Sequence, residues 1–440
     1  MTLLYSSILL SIFGIFLTSL SSFFLSTNFK IYFIVYPLYL FMSIHVIYNF
    51  QNYIINNQFK FIIVFSLYFF LFTLPITNYL TESSVVLIAT IKYYTPIIIA
   101  LYFKVKINNE LKFFRVMKIL VFSGIISSLY SILEVVSLAF SIFPIITQIS
   151  INYINSGFTK VSVEMLEMLR PTGILFNATH NGFFIGSCFF ITLFLGNNIF
   201  NKKWATTLTL TILYIGIVLI LSRQIIATFH ITLFIILFIN HSKFIFKSTL
   251  FFKKSKKYIW LLLSISSISF IIFSNTDNIS FIISEFDPDN TSINTSSILM
   301  DDILNLNSAI ENIYFRSPFN FVFGFGYTGA IDRHSSTLFL DLWNELHYFF
   351  ETLVELGIIG FIMYWSFFIF QGVNCWRWYN IGLNDYRLNN NMFLLGTILV
   401  LFMVLQNIHY SPLGITNNIL IALPIYFGLL PITVKNNRRE

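Results

Sequence analysis

Long apolar runs alternate with short polar stretches along most of this chain. A hydrocarbon core about 30 Å thick needs roughly 20 apolar residues for one helical crossing. Twelve segments meet this requirement and are predicted to be transmembrane helices: about 2–26, 30–50, 59–80, 83–104, 114–144, 173–195, 204–222, 224–240, 257–274, 347–371, 391–408 and 413–434. The pattern therefore predicts an all-α fold, a polytopic bundle of about twelve transmembrane helices that forms one integral membrane domain over residues 1–440.

The composition supports a membrane protein and excludes other classes. The 440 residues are 56% hydrophobic and only 10% charged, whereas typical soluble domains carry about 25% charged residues. A large soluble enzyme is excluded because this composition cannot provide a water-facing shell. Cys188 and Cys375 fall in separate apolar segments, so neither a disulfide framework nor a zinc site is indicated.

The distribution of positive charge predicts the orientation in the membrane. With both termini in the cytoplasm, 19 of the 26 Lys and Arg residues lie inside, as the positive-inside rule requires. These residues are Lys60, Lys104–Lys118, Lys202, Lys203, Lys243–Lys257, Arg377, Arg387 and Lys435–Arg439. The net charge of +7 is thus a topology signal. Membrane lipids are therefore expected partners, and nucleic acid is not.

Two long polar segments are predicted outside, 145–172 and 275–346. The second is a large periplasmic loop between the ninth and tenth helices, and a loop of this length is usually functional or disordered. Within it, Met300–Phe315 is predicted to form an amphipathic helix, and Gly324 and Gly326 permit a tight turn near the membrane surface. Many transporters are built from two related halves, but no repeat relates the two halves of this chain. This difference favours an enzyme acting at the outer face.

Ionisable residues at the start of the tenth helix are functional candidates, because charge inside a bilayer is costly unless it is paired or hydrated. His347, Glu351 and Glu355 recur every four residues and share one helix face. A histidine can accept or donate a proton near neutral pH, so this stripe is typical of an acid–base array. The alternative is that the two carboxylates only pair with arginines between helices.

Two arginines are predicted at outer helix ends. Arg170 precedes the sixth helix and is followed by His180 and Asn181, and Arg223 lies in the turn between the seventh and eighth helices. The planar guanidinium group suits phosphate oxygens, so the two together could bind a lipid-linked pyrophosphate. The alternative is that each arginine anchors its helix by reaching the lipid headgroups.

Two further groups of charged residues have less functional weight. Lys92 in the fourth helix and Glu134 in the fifth are predicted to form a structural ion pair between adjacent helices. Asp287-Pro288-Asp289 matches the Asp-x-Asp pattern of metal-dependent sugar transferases only superficially, since an acidic loop produces such pairs by chance.

The order of three landmarks resembles the O-antigen ligase/polymerase superfamily of lipid-linked glycan transferases. Residues 170–182 are similar to the Arg-x-x-Gly-…-Asn stretch that opens a helix in that family, and residues 221–223 to its Ser-Arg turn. Residues 317–326, then 347 and 355–360, are similar to its Pro-…-Gly-x-Gly loop and its His-Asn-…-Glu-x-Gly-x-x-Gly helix start. This chain has Leu346-His347 where the family usually has His-Asn, which keeps His334 as an alternative catalytic histidine.

The resemblance implies a metal-independent glycosyltransferase of the bacterial inner membrane that uses no cofactor. It would polymerise undecaprenyl-pyrophosphate-linked oligosaccharide repeat units into O-antigen or capsular polysaccharide at the periplasmic face, with a chain-length regulator protein as a further partner. The high Phe and low Gly content resembles the divergent polymerases. An O-antigen ligase of the same superfamily is one alternative, and a lipid-linked oligosaccharide flippase or transporter is the alternative from another class.

The resemblance also assigns roles to residues. The predicted catalytic group consists of His347, Glu351 and Glu345. The predicted substrate-binding group consists of Arg170, Arg223, Asn181, His180, Tyr327, Trp343 and Glu355. In this interpretation the histidine removes the proton of the acceptor hydroxyl, the arginines bind the pyrophosphate, and the Tyr and Trp rings stack on sugars.

Overall fold

The computed structural model describes residues 40–46, 57–76, 83–107, 110–140, 171–175, 177–220, 222–241, 318–324, 348–382, 390–407 and 419–427, with a few isolated positions elsewhere. The regular elements within these ranges are all helical, and the described residues contain no β-strand. The predicted all-α class is therefore confirmed for the described residues.

The helices follow the apolar runs of the sequence. In chain order they are α1 Asn57–Tyr68, α2 Ser83–Lys106, α3 Glu110–Phe140, α4 Ala178–Phe200, α5 Lys203–Leu219, α6 Arg223–His241, α7 Pro318–Phe323, α8 Tyr348–Gly382 and α9 Asn390–Asn407. A π-helical turn, Phe69–Thr73, continues α1, and a 3₁₀ turn, Gly173–Leu175, precedes α4. The described helices that are long and apolar enough to cross a membrane are Glu110–Ser137, Ala178–Phe200 and Thr352–Asn380. These three helices indicate a membrane protein.

Two predicted helices differ from the structure in a physically informative way. The sixth was predicted from residue 173, but α4 begins at Ala178, because Gly173 has a φ of +65° that cannot continue a right-handed helix. The tenth was predicted over 347–371 without interruption, whereas α8 extends to Gly382 and is broken at Gly357, with φ 66° and ψ 176°. Both differences arise at a glycine inside an apolar run, where hydropathy alone gives no signal.

The first of two compact units comprises Met1–Val64, Ile88–Ile236 and Trp365–Glu440, and α4 lies at its centre. α4 packs against α3, α5 and α9. Of the most apolar 18-residue stretch of α4, 83% is buried inside the structure, compared with 44% of the corresponding stretch of α3. α4 is therefore surrounded by other helices, whereas α3 keeps one face open.

Small residues let α3 approach its neighbours closely. A Cβ atom on Gly124 of α3 would lie 2.7 Å from the Cβ of Cys188 in α4. In the same way, a Cβ on Gly216 of α5 would lie 2.5 Å from the Oγ of Ser128. Such contacts are typical of membrane helices, whose association depends on close packing rather than on hydrophobic burial.

The open face of α3 is an apolar stripe. Phe122, Ile126, Leu129 and Leu133 recur every three or four residues and are between 41% and 48% exposed. The opposite face, which carries small and polar side chains such as Ser127 and Ser131, is buried. An outward apolar stripe over a polar interior suits contact with lipid chains, where exposed apolar side chains carry no hydration cost.

The second unit comprises Phe65–Leu87 and Leu237–Tyr364, and aromatic rings hold its described part together. The ring of Phe323 in α7 stacks on Phe72, with centroids 4.5 Å apart, and lies 4.8 Å from the ring of Phe319. Tyr68 at the end of α1 extends this cluster, 5.4 Å from Phe72. Offset and tilted pairs of this kind add to the stability gained from burial alone. The cluster fixes α7 against the end of α1.

Candidate functional site

The described residues just before α4 are 171–175 and 177, and they include a glycine with a left-handed backbone. Gly173 adopts a φ of +65°, and a Cβ there would overlap the side-chain amide of Asn181. Asn177 caps α4, because its Oδ1 accepts a hydrogen bond of 3.0 Å from the backbone N–H of His180. Its own N–H donates to the carbonyl of Thr172 over 3.2 Å. The backbone at Thr172 is therefore hydrogen-bonded directly to the residue that caps α4.

A buried carboxylate holds this loop in place. Glu134 of α3 is fully buried, and its Oε1 accepts a hydrogen bond of 2.9 Å from the hydroxyl of Thr172. Its Oε2 accepts a second, also 2.9 Å long, from the backbone N–H of Gly173. Glu134 was predicted to pair with Lys92, whose side chain lies outside the described residues. The two hydrogen bonds to Thr172 and Gly173 show that the carboxylate anchors the chain two and three residues after Arg170.

Asn181 is the second anchor. Its Oδ1 accepts a hydrogen bond from the hydroxyl of Ser127, and its Nδ2 donates to Ser131 Oγ over 3.0 Å. All three side chains are fully buried. The substrate-binding role of Asn181 stays a prediction, and in this structure its amide joins α4 to α3. Its neighbour His180 is half-buried at the start of α4.

The sequence prediction missed the serines of this network. Ser127, Ser131 and Glu134 are spaced four and three residues apart and so lie on one face of α3. In a helix that is otherwise apolar, a polar stripe of this spacing indicates a buried hydrogen-bonded surface. That spacing was the signal from which these residues could have been found.

The Ser-Arg turn forms the start of α6. Ser222 accepts the first helical hydrogen bond, 3.0 Å from the N–H of Ile226, and Arg223 is the first residue of the helix. The side chain of Arg223 lies outside the described residues. α5 ends at Leu219 and α6 begins at Arg223, so the arginine lies at a helix end, as the sequence predicted.

A tyrosine–histidine pair joins α5 to α6 and was not predicted. The hydroxyl of Tyr214 lies 3.2 Å from Nε2 of His230, and Nδ1 of the same ring lies 2.7 Å from the carbonyl of Ile226. A carbonyl only accepts, so Nδ1 carries a proton, and in the neutral ring Nε2 accepts from the tyrosine hydroxyl. His230 follows Arg223 by seven residues and therefore shares its helix face. That spacing is the sequence signal for this pair.

In the second unit, the two glycine motifs lie against each other through their backbones. Gly324, directly after α7, has a φ of +83°, and a Cβ there would overlap the carbonyl oxygen of Glu355. Gly357 has a φ of +66°, and a Cβ added there would overlap the backbone N of Gly324 and the carbonyl oxygen of Val322. Each position combines a left-handed backbone with an approach that only glycine allows. The positive φ at Gly324 is one that a tight turn there would use, and the rest of the predicted turn, from residue 325 on, lies outside the described residues.

Tyr68 clamps these two segments together. Its hydroxyl donates a hydrogen bond to the carbonyl of Leu356 and lies 3.4 Å from the carbonyl of Phe323. A Cβ on Gly360 would lie 2.5 Å from the Tyr68 ring, so this glycine provides the space for it. The glycines of the Glu-x-Gly-x-x-Gly motif thus have separate tasks, one for the turn after α7 and one for the tyrosine. The sequence carried no signal for Tyr68, which is 288 residues from Leu356.

The break at Gly357 separates a short first segment of α8, residues 348–356, from the rest of the helix. Glu355, the last but one residue of this segment, is fully buried, as is Thr352 one turn before it. Glu351 lies in the same segment, one helical turn before Glu355, although its side chain lies outside the described residues. The predicted spacing of the two carboxylates is therefore contained in one unbroken piece of helix.

Several predicted residues lie outside the part of the chain that the structure describes, and their roles stay predictions. They are Arg170, Asp287, Asp289, Tyr327, His334, Trp343, Glu345 and His347. The amphipathic helix predicted at Met300–Phe315 lies outside it as well.

Within the described ranges, no group of three or more His, Cys, Asp or Glu side chains could hold a metal ion. The chemistry offered by these residues is hydrogen bonding through Glu134, Asn181 and His230. Comparisons with protein-family models, with curated proteins and with solved structures found no match to this chain.

Proposed function

We propose that this protein polymerises undecaprenyl-pyrophosphate-linked oligosaccharide repeat units into O-antigen or capsular polysaccharide. The observation that supports the proposal most directly is the backbone contact between Gly324 and Gly357. The two glycines belong to the motif segments 317–326 and 355–360, whose order along the chain resembles the superfamily. Their close contact supports treating the segments as parts of one motif, as the resemblance implies.

The proposal extends to the membrane arrangement. The chain crosses the bacterial inner membrane twelve times, has both termini in the cytoplasm, and carries the loop 275–346 on the periplasmic side. Each of the two motif regions then begins at a helix end that faces the periplasm. This is the side on which a lipid-linked repeat unit meets a growing glycan.

In the proposed reaction, a hydroxyl oxygen of the acceptor sugar attacks the anomeric carbon of the donor glycan. A new glycosidic C–O bond forms, the C–O bond to the pyrophosphate breaks, and undecaprenyl pyrophosphate leaves. His347, oriented by Glu351 or Glu345, accepts the hydroxyl proton as a general base. Arg170 and Arg223 stabilise the negative charge that develops on the leaving pyrophosphate.

The anchored loop before α4 gives Arg170 a defined starting point. Glu134 holds the Thr172 hydroxyl and the Gly173 N–H, and Pro171, which directly follows Arg170, fixes its own φ. A cation attached to a rigid backbone loses less freedom on binding a phosphate, which is the basis of preorganised charge stabilisation. The buried hydrogen bonds of α3 are therefore part of the proposed pyrophosphate site, although they do not contact the substrate.

The experiment is a lipopolysaccharide gel from a strain in which the gene is deleted and then restored as variants. The deletion strain should show single-repeat glycan on an otherwise normal surface, and the wild-type gene should restore the ladder of long chains. Complete loss of surface glycan in the deletion strain would contradict polymerisation and favour the ligase or the flippase.

The same strain tests the catalytic histidine. His347→Ala should fail to restore the ladder, because loss of a general base typically lowers a rate by about 10²–10⁴-fold. His334→Ala is the matched control and should restore it. A full ladder from His347→Ala together with a lost ladder from His334→Ala would transfer the catalytic role to the loop.

A further inference from the structure

A cavity in the first unit lies beside the start of α3, away from both motif regions along the chain. Its volume is about 380 Å³, within the range of about 300–1,000 Å³ that is usual for small-molecule sites. Tyr5, Leu9 and Phe13 line one side of it, and their spacing of four residues places them on one helix face. The first half of α3 lines the other side. The walls are mostly apolar.

Two cations lie in the lining of this cavity. Arg115 and Lys118 are both exposed residues of α3, and Lys118 Nζ lies 5.8 Å from the ring centre of Phe122. Among the described residues, neither is paired with a carboxylate. An apolar cavity edged by two unpaired cations is complementary to a ligand with an anionic head and an apolar tail.

The position of the cavity along α3 fits a lipid. Ile126 belongs to the lining and lies eight residues beyond Lys118, which corresponds to about 12 Å along the helix. It is also part of the outward apolar stripe of α3, where a lipid chain can continue alongside the helix. The end of α3 that carries the cations is the end predicted to face the cytoplasm, where the leaflet surface is negative.

We propose that this cavity binds one anionic phospholipid of the cytoplasmic leaflet, with its phosphate between Arg115 and Lys118 and one acyl chain running toward Ile126. The two cations confer selectivity for an anionic headgroup, and the apolar wall confers selectivity for a lipid over a free anion.

The test measures lipid retention by the full-length protein. The purified protein is placed in nanodiscs of phosphatidylcholine that contain a minor fraction of phosphatidylglycerol, and native mass spectrometry counts the phosphatidylglycerol that stays bound. The double variant Arg115→Gln/Lys118→Gln should lose about fivefold in affinity for each cation, about 25-fold together.

The matched control is Lys202→Gln/Lys203→Gln, an exposed basic pair at the start of α5 that is predicted to face the same side. It should change retention by less than twofold. An equal loss in both double variants would mean a general surface attraction and would overturn the proposal. So would equal binding of phosphatidylcholine, or displacement of the lipid by glycerol phosphate alone.

Discussion

Replacing Glu134 distinguishes two roles for this buried carboxylate, as an anchor of the loop before α4 or as the partner of Lys92 in an ion pair. Glu134→Ala removes the acceptors of Thr172 and Gly173, both of which are buried. Hydrogen bonds to a charged group contribute about 1.5–3 kcal/mol each, so the two together correspond to about 3–6 kcal/mol. We expect a loss of stability in that range.

Glu134→Gln should be much milder if the carboxylate is an anchor. The amide oxygen can accept from the N–H of Gly173, and the amide nitrogen can donate to Thr172, because a hydroxyl both donates and accepts. Both hydrogen bonds are then kept in neutral form, which should limit the cost to about 1–3 kcal/mol. If Glu134 is instead half of an ion pair, glutamine would leave the buried charge of Lys92 uncompensated. The loss of stability would then be about 3–5 kcal/mol, as for alanine.

The assay is unfolding of the purified protein in mixed micelles with increasing SDS, together with the polysaccharide ladder in cells. Alanine should destabilise the protein clearly more than glutamine, and it should also lower polymerisation strongly, since a displacement of about 1 Å at a positioning group can cost about 10²-fold. The double variant Glu134→Gln/Lys92→Met is the control. If the anchor role is right, the losses of stability caused by the two single substitutions should add in this double variant.

Two results would refute the anchor role. One is an equal loss of stability in the alanine and glutamine variants, with recovery in the double variant, which is the behaviour of an ion pair. The other is an alanine variant within about 0.5 kcal/mol of wild type, the range of surface substitutions without special contacts.

The remaining predictions concern the arginines, the helix break and the topology. Arg170→Lys and Arg223→Lys should each abolish the ladder at normal levels of inserted protein, because lysine keeps the charge but loses the planar fork; normal ladders from both would make them headgroup anchors. Gly357→Ala should destabilise the protein by at least about 1–2 kcal/mol in the SDS titration, from its left-handed φ alone, and wild-type stability would contradict the backbone contact. A reporter fused at Ser255 should indicate the cytoplasm and one at Asn294 the periplasm, and the opposite result at Ser255 would reverse the orientation.

The sequence alone predicted the all-α class and, for several of the described helices, limits close to those observed. The predicted segment 204–222 corresponds to Lys203–Leu219, and 391–408 corresponds to Asn390–Asn407. Hydropathy is sufficient here because a helix in a membrane satisfies its own backbone hydrogen bonds, so that length and apolar character decide its position. The left-handed backbone at Gly324 was predictable for a similar reason, since the conformational freedom of glycine is a property of that residue alone.

The tertiary structure decided which of these local features touch. Glu134 and Thr172 are 38 residues apart, and Tyr68 is 288 residues from Leu356. Neither pair follows from periodicity, because a helical period states which face a residue occupies and not which segment lies opposite. The break of α8 at Gly357 has the same origin: the residue permits a left-handed backbone, and the approach of the turn at Gly324 requires it.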